Sequence, residues 1–234
     1  MGEVFRLAAS RAQAQEFSPQ VGEWELRTRL TDLNINHVTD TVDGETTNVE
    51  RRLNIRLEAR HQLNEQVNVG LFVGYFGEGD TDANGDYTNR TRSWSLVPRV
   101  EYMLSDSLGA ALSVGLSRGA NIDDDANLVN YRLHFTAVPR VFYRTALNDK
   151  VRLEPYGEVE FYTYKDYDAD GSEYNENSQY ALMAGVESRY YIAPNFSVNF
   201  IPRVILLNRE THLDDDVARR STRFNLVAGF SLYF

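Results

Sequence analysis

Two stretches of this sequence carry side-chain oxygens at every second position ahead of a glycine, a spacing that lets a short loop fold them around one hard cation. "DTDANGD" offers Asp80, Asp82, Asn84 and Asp86, with Gly85 at the sharp turn; "DYDADGSE" offers Asp166, Asp168 and Asp170, with Gly171 in the same place. The twelfth position is Thr91 in one and Asn177 in the other, so the bidentate glutamate of an EF-hand is missing from both. Calcium is therefore expected to bind, if the loops are ordered for it, no more tightly than the ~10⁻⁴–10⁻³ M of extracellular modules; solvated loops are the bland alternative. Histidine near aspartate is a second candidate chemistry: His212 stands two residues before Asp214, and His37 three before Asp40. No G-x-S-x-G or H-E-x-x-H motif accompanies them. A third pattern is "VPRV" at 97–100 and 138–141 and "IPRV" at 201–204, which sets Arg99, Arg140 and Arg203 behind prolines inside alternating runs. Proline cannot donate to a strand ladder, so these positions demand an explanation.

The elements that must position these residues are marked by four short turns. "LNEQV" at 63–67, "LSDSL" at 104–108, "LNDKV" at 147–151 and "IAPNF" at 192–196 share an apolar-xxx-apolar form and read as tight hairpin connections. Longer polar segments near 39–48, 77–90, 119–130, 166–177 and 209–220 lie between them, so nine connections join ten strands. Within the strands the period is two: Leu53, Ile55, Leu57 and Ala59 share one face, against Asn54, Arg56, Glu58 and Arg60 on the other. The last strand sets Phe224, Leu226, Ala228, Phe230, Leu232 and Phe234 against Arg223, Asn225, Gly229 and Ser231. A soluble barrel would hide the apolar face inside, but the other face here is dense with arginine and glutamate. The inverted arrangement fits better: apolar residues toward lipid, charges inside, and backbone groups satisfied by closure. Aromatic residues stand near both ends of the apolar face, with Trp24, Tyr102, Tyr143, Tyr190 and Phe196 on the short-turn side and Trp94, Tyr131, Phe161 and Tyr180 on the long-loop side. Nothing in the composition divides the chain, so residues 22–234 form one all-β domain, an antiparallel up-and-down transmembrane β-barrel. Residues 1–21 precede it as an extension, either a frayed arm or a segment lying in the lumen on the short-turn side.

With an even strand count, short turns on one side, long loops on the other and the terminal strand "RFNLVAGFSLYF" ending in an aromatic, the chain resembles the bacterial outer-membrane β-barrel family. The resemblance implies placement in the bacterial outer membrane, short turns and termini in the periplasm and long loops outside the cell. It also implies, as partners, outer-membrane lipids and lipopolysaccharide, the barrel-insertion machinery that reads the last strand, and other outer-membrane or periplasmic proteins.

Parity then answers the proline question. Pro98, Pro139 and Pro202 share faces with lipid-directed residues, so Arg99, Arg140 and Arg203 point inward, and local bulges are expected where the proline N–H is missing. Arg132, Arg144, Arg152 and Arg189 have the same inward parity, as do Glu101, Glu154, Glu158, Glu160 and Glu187. In a barrel of ten strands these chains are expected to meet across the axis as a salt-bridged plug, with a narrow small-solute or ion channel as the alternative. The five long segments hold 19 of 34 acidic and 4 of 24 basic residues, so the outer surface is acidic although the whole chain is only −10. Nucleic acid is excluded as a partner by the lack of a basic exterior patch. The function expected is structural, adhesive or complex-forming through the acidic loops. Omptin proteases are also ten-stranded outer-membrane barrels with an Asp–His pair at the rim, but here histidine precedes the acid and no second aspartate pair is evident, so no enzyme is expected. His61 and His134 read as rim and lumen residues.

Overall fold

A computed structural model of the chain describes residues 20–29, 34–42, 45–81, 87–123, 127–212 and 223–234. Every regular element among them is a β-strand: β1 (Trp24–Arg29), β2 (Asn34–Val42), β3 (Glu45–Gln62), β4 (Val67–Thr81), β5 (Tyr87–Met103), β6 (Leu108–Ile122), β7 (Leu128–Tyr143), β8 (Thr145–Ala146), β9 (Val151–Asp168), β10 (Glu173–Ala193), β11 (Phe196–His212) and β12 (Arg223–Tyr233). β1 and β2 both pair with β3, and β8 continues β7 along β9, so the twelve segments make ten staves. β1 also pairs with β12, from Glu25↔Tyr233 to Arg29↔Gly229, and the sheet closes on itself. All pairings are antiparallel and, apart from the β1–β12 closure, join staves that follow one another in the chain, the up-and-down order that the alternating short and long connections predict.

Three of the short turns share one device. Leu63, Leu104 and Leu147 donate their amides to the carbonyls of Val67, Leu108 and Val151. Inside each, the second residue's side chain accepts the returning amides: Asn64 from Gln66 and Val67, Ser105 from Leu108, Asn148 from Lys150 and Val151. The fourth departs from this form: Ala193 pairs directly with Phe196 around Pro194 and Asn195, after a register shift between Tyr191 and Ala193.

Exposure follows the pleat. From Thr91 to Val100 it alternates residue by residue, with Trp94, Leu96 and Val100 exposed at 51%, 44% and 51% on the outer face. The short-turn rim is ringed by exposed Trp24, Tyr102, Tyr143 and Tyr190. His61 lies there on the outer face, stacked on Trp24 at 4.5 Å, whereas His134 faces inward against Tyr162 and Tyr164.

The prolines do not make bulges. At Pro98 the ladder to β6 skips from Leu96↔Leu116 to Arg99↔Ser113, at Pro139 the ladder to β9 skips from Ala137↔Phe161 to Arg140↔Glu158, and at Pro202 the ladder to β10 skips from Ser188↔Phe200 to Gly185↔Arg203. Register is the same on both sides of each gap. Each proline deletes a bond on one side of its strand and keeps continuous pairing on the other, so no extra residue is inserted.

Inward glycines make room for large inward rings. A Cβ on Gly109 would lie 2.3 Å from Cζ of Phe142, and one on Gly185 would lie 2.7 Å from Cζ of Tyr156. Gly109→Ala is expected to cost about 1–3 kcal/mol by overpacking, read as a lower urea midpoint in lipid vesicles. Gly157, whose added Cβ would meet nothing within 4 Å, serves as the control and should tolerate alanine.

Candidate functional site: an ion-pair ring across the lumen

The inward charges of the short-turn half close into a ring. Arg27 reaches Glu187 at 2.5 Å and Glu58 at 3.9 Å; Glu58 holds Arg60 at 2.7 Å, and Arg60 holds Glu101 at 3.0 Å. Glu101 takes Arg144 at 2.7 Å, Arg144 takes Glu154 at 2.8 Å, Glu154 takes Arg140 at 2.7 Å, and Arg140 returns to Glu187 at 3.8 Å. Arg99 braces Glu101 at 2.7 Å, while Arg189 links Glu187 at 2.7 Å to Glu25 at 3.3 Å. The members come from β1, β3, β5, β7, β9 and β10 and the residue between β7 and β8, so some of its links, such as Arg60 on β3 to Glu101 on β5 and Arg27 on β1 to Glu187 on β10, join staves that share no backbone bond.

Small residues on the intervening staves allow those reaches. β4 separates Arg60 from Glu101, and its inward residue there is Gly70, where a Cβ would stand 3.3 Å from Cγ of Arg60. β6 separates Glu101 from Arg140 and presents Ala111, in register with both. On β9 and β10 the register sets Glu154 opposite Glu187 and Arg152 opposite Arg189, two like-charge pairs that would repel if left alone. Arg140 resolves the first by binding both carboxylates. In the second, Arg189 turns to Glu25 and Glu187 while Arg152 lies 5.5 Å over the Tyr191 ring. Arg140 also stacks 3.6 Å over Tyr156, and Arg144 lies 4.6 Å over Phe142. Those two rings pack with Ala111, Ile201 and Val227 into a buried apolar cluster inside the barrel. Charge and ring together desolvate the cross-section: Arg27, Glu101 and Glu187 are each only 2% exposed.

Of the residues expected in the lumen network, Arg99, Arg140, Arg144, Arg189, Glu101, Glu154 and Glu187 meet here, with Glu158 at 3.8 Å from Arg140. Arg203 does not join. It pairs in register with Gly185, two residues beyond Glu187 toward the loops, because tilted strands put equal distances from a turn at unequal heights. Glu160 sits in the same upper region as Arg203, in register with Ala181. Arg132 lies higher still, where it holds Asp166 through two hydrogen bonds, Nε to Oδ1 and, at 2.8 Å, Nη2 to Oδ2. Arg27, Glu58 and Arg60 complete the ring, and Glu25 joins it through Arg189; the sequence marks none of the four as a site residue, although Glu58 and Arg60 lie on the polar face of a strand whose parity is plain.

The two acidic loops are placed unequally. Asp166 is turned into the lumen, 3% exposed, and besides Arg132 it accepts from Asn175 at 3.0 Å. Asp170 accepts from the Ser172 hydroxyl and amide, which holds its carboxyl below the usual range. Asp168 is exposed and accepts the Gly171 amide through its backbone carbonyl. Gly171 takes φ +88°, as the sharp turn requires. Among the described residues no three carboxylate or imidazole groups converge on a point that could hold a metal ion. Asp82, Asn84 and Asp86 of the other loop lie outside the described residues, as does Asp214; Asp80 closes β4 next to Thr81, His37 and Asp40 lie on β2, and His212 ends β11.

No protein-family model matches the chain, and no curated protein matches it. Among solved structures, the outer membrane protease OmpT of Escherichia coli is similar at 11% identity over 92% of this chain and 94% of its own, with a TM-score of 0.37. The β domain of the Bordetella autotransporter BrkA is similar at 12% identity over 91% and 99%, with a TM-score of 0.45, and OprG of Pseudomonas aeruginosa at 9% over 93% and 98%, with a TM-score of 0.33. Likeness at this level transfers no activity. The chain's own geometry decides the class: a closed antiparallel barrel with an even number of staves, an apolar outer face between aromatic rims and a charged interior can be satisfied only by lipid around it. This chain is a ten-stranded transmembrane β-barrel.

Proposed function

We propose that the protein is a non-conducting barrel of the outer membrane that acts through its acidic extracellular loops as a structural, adhesive or complex-forming surface. One observation carries the reading: the ring of alternating glutamate and arginine returns to its starting residue, so the lumen is crossed by direct contacts at one level. A transport pore holds its charges apart around water; here guanidinium and carboxylate satisfy one another and rings of Phe142 and Tyr156 pack against them. Work is thereby left to the loops, whose segments carry a net of −15 in the sequence.

A narrow channel is the second reading, and one feature favours it. Arg56, on the inner face of β3, is exposed, and the Arg132 side chain is 44% exposed, so water reaches the lumen from the loop side down to the ring. Planar-bilayer recording separates the two. The sealed barrel should show no steady open-channel steps at physiological salt and moderate voltage; steady steps would overturn the seal and establish the channel.

A further inference from the structure

Two arginines among the described residues are both exposed and turned the wrong way for a lumen network. Arg92 on β5 and Arg118 on β6 have outward parity and are exposed. Their depth is fixed by the stripes beneath them. On β5 the outward apolar stripe runs from Tyr102 to Trp94, and on β6 from Leu108 to Leu116, nine residues in each case. That matches the ~9–11 tilted residues that cross the hydrocarbon. The next outward residue on each strand is the arginine, so both guanidiniums stand at the hydrocarbon edge on the long-loop side, level with the outer-leaflet head groups.

Neither arginine makes an ion pair among the described residues. Arg92 is flanked in register by Gly77 and Ala120; the Tyr75 ring leans over Gly77 beside it, and Arg92 stays exposed. Arg118 is flanked by Trp94 and Leu133, and its guanidinium lies 4.8 Å over the Tyr131 ring, a contact that leaves the N–H edge free to donate. On an otherwise acidic chain, with acidic segments above, two cations set below the loops and over apolar surface have a specific complement: a lipid that is anionic at its head and apolar below. We propose that Arg92 and Arg118 form a clamp for the phosphate of an outer-leaflet glycolipid, lipopolysaccharide by its place in the membrane, with acyl chains lying on Trp94 and Leu133. Guanidinium suits this task because its planar fork meets phosphate oxygens bidentately and is weakly hydrated. This site is independent of the sealed lumen and of whatever the loops bind.

The test uses the full chain in nonionic detergent and measures binding of bis-phosphorylated lipid A against the same lipid stripped of phosphate. The phosphorylated form is expected to bind roughly tenfold or more tightly, as charge-assisted bidentate bonds imply. Arg92→Gln with Arg118→Gln should abolish that preference, while Lys150→Gln at a periplasmic turn should leave it intact. Heat-dependent electrophoretic mobility reports whether the double variant is still folded, which its exposed positions favour. A preference that survives in the folded double variant overturns the clamp, and so does equal binding of phosphate-free lipid A or of phosphatidylglycerol.

Discussion

Glu101→Gln should destabilise the folded barrel by about 3–5 kcal/mol, the usual cost of removing one partner from a buried charge cluster. Glu101 is the most heavily committed carboxylate of the ring: Arg60, Arg99 and Arg144 all reach it within 3.0 Å, and it is 2% exposed. Glutamine keeps the shape but withdraws the charge, leaving three guanidiniums facing one another where water cannot screen them. Repulsion among them, more than the lost attraction, sets the size of the effect. Arg140→Ala should act in the same direction, since it leaves Glu154 facing Glu187 across the β9–β10 ladder with no cation between them. Lys165→Ala provides the contrast: its partners Glu173 and Glu176 lie at 3.2 Å but all three side chains are more than a third exposed, so about 0–1 kcal/mol is expected. Urea unfolding in lipid vesicles reads all three, and midpoints for Glu101→Gln and Lys165→Ala that fall together would mean the lumen is wet enough to screen its charges.

The barrel was legible in the sequence because its signal is local and repeated. Each stave states its own inside and outside by alternation, and each short turn states its form in five residues, with Asn64, Ser105 and Asn148 at the same place for the same hydrogen bonds. Which charges meet was less legible, because pairing across a lumen depends on stagger around the whole sheet. Arg99, Arg140 and Arg203 look equivalent in the sequence, each behind a proline, yet only two reach the ring. Glu25 and Arg27 sit on a six-residue strand whose pattern is too short to announce a face, although direct pairing with Arg60 and Glu58 on β3 makes them ring members. Asp166 shows the opposite error: its motif is a loop motif, but strand parity carries it inward to Arg132. Parity extended to the last residue of β9 would have predicted that. At the prolines the sequence shows the face but not the ladder: it marks the missing N–H, not which neighbour loses a bond, and the expected bulges are absent because register is unchanged across each gap.

Arginine on the outer face should be costly only within a band, and that depth dependence tests the membrane assignment more sharply than any average hydropathy. Leu112 is the middle residue of the outward stripe on β6 and is 50% exposed; Leu226, on β12 opposite Pro202, is 59% exposed. Leu112→Arg or Leu226→Arg should cost about 2–4 kcal/mol when the barrel is folded into bilayers, because a guanidinium near the midplane has neither water nor a carboxylate to meet. The sequence already shows how far that prohibition extends. Outward arginines occur at Arg92 and Arg118, one step past the stripe, where Ala120 is the cross-strand neighbour of Arg92. Ala120→Arg should therefore cost only about 0–1 kcal/mol, as charged residues near the interface do. Were the apolar face turned to water, all three substitutions would be nearly free, and were it packed against another protein, Ala120→Arg would be no cheaper than the others. Folding titrations into vesicles of one thickness, followed by a thinner bilayer, should keep this order while lowering the midplane cost, since thinning brings head groups and water closer to Leu112 and Leu226.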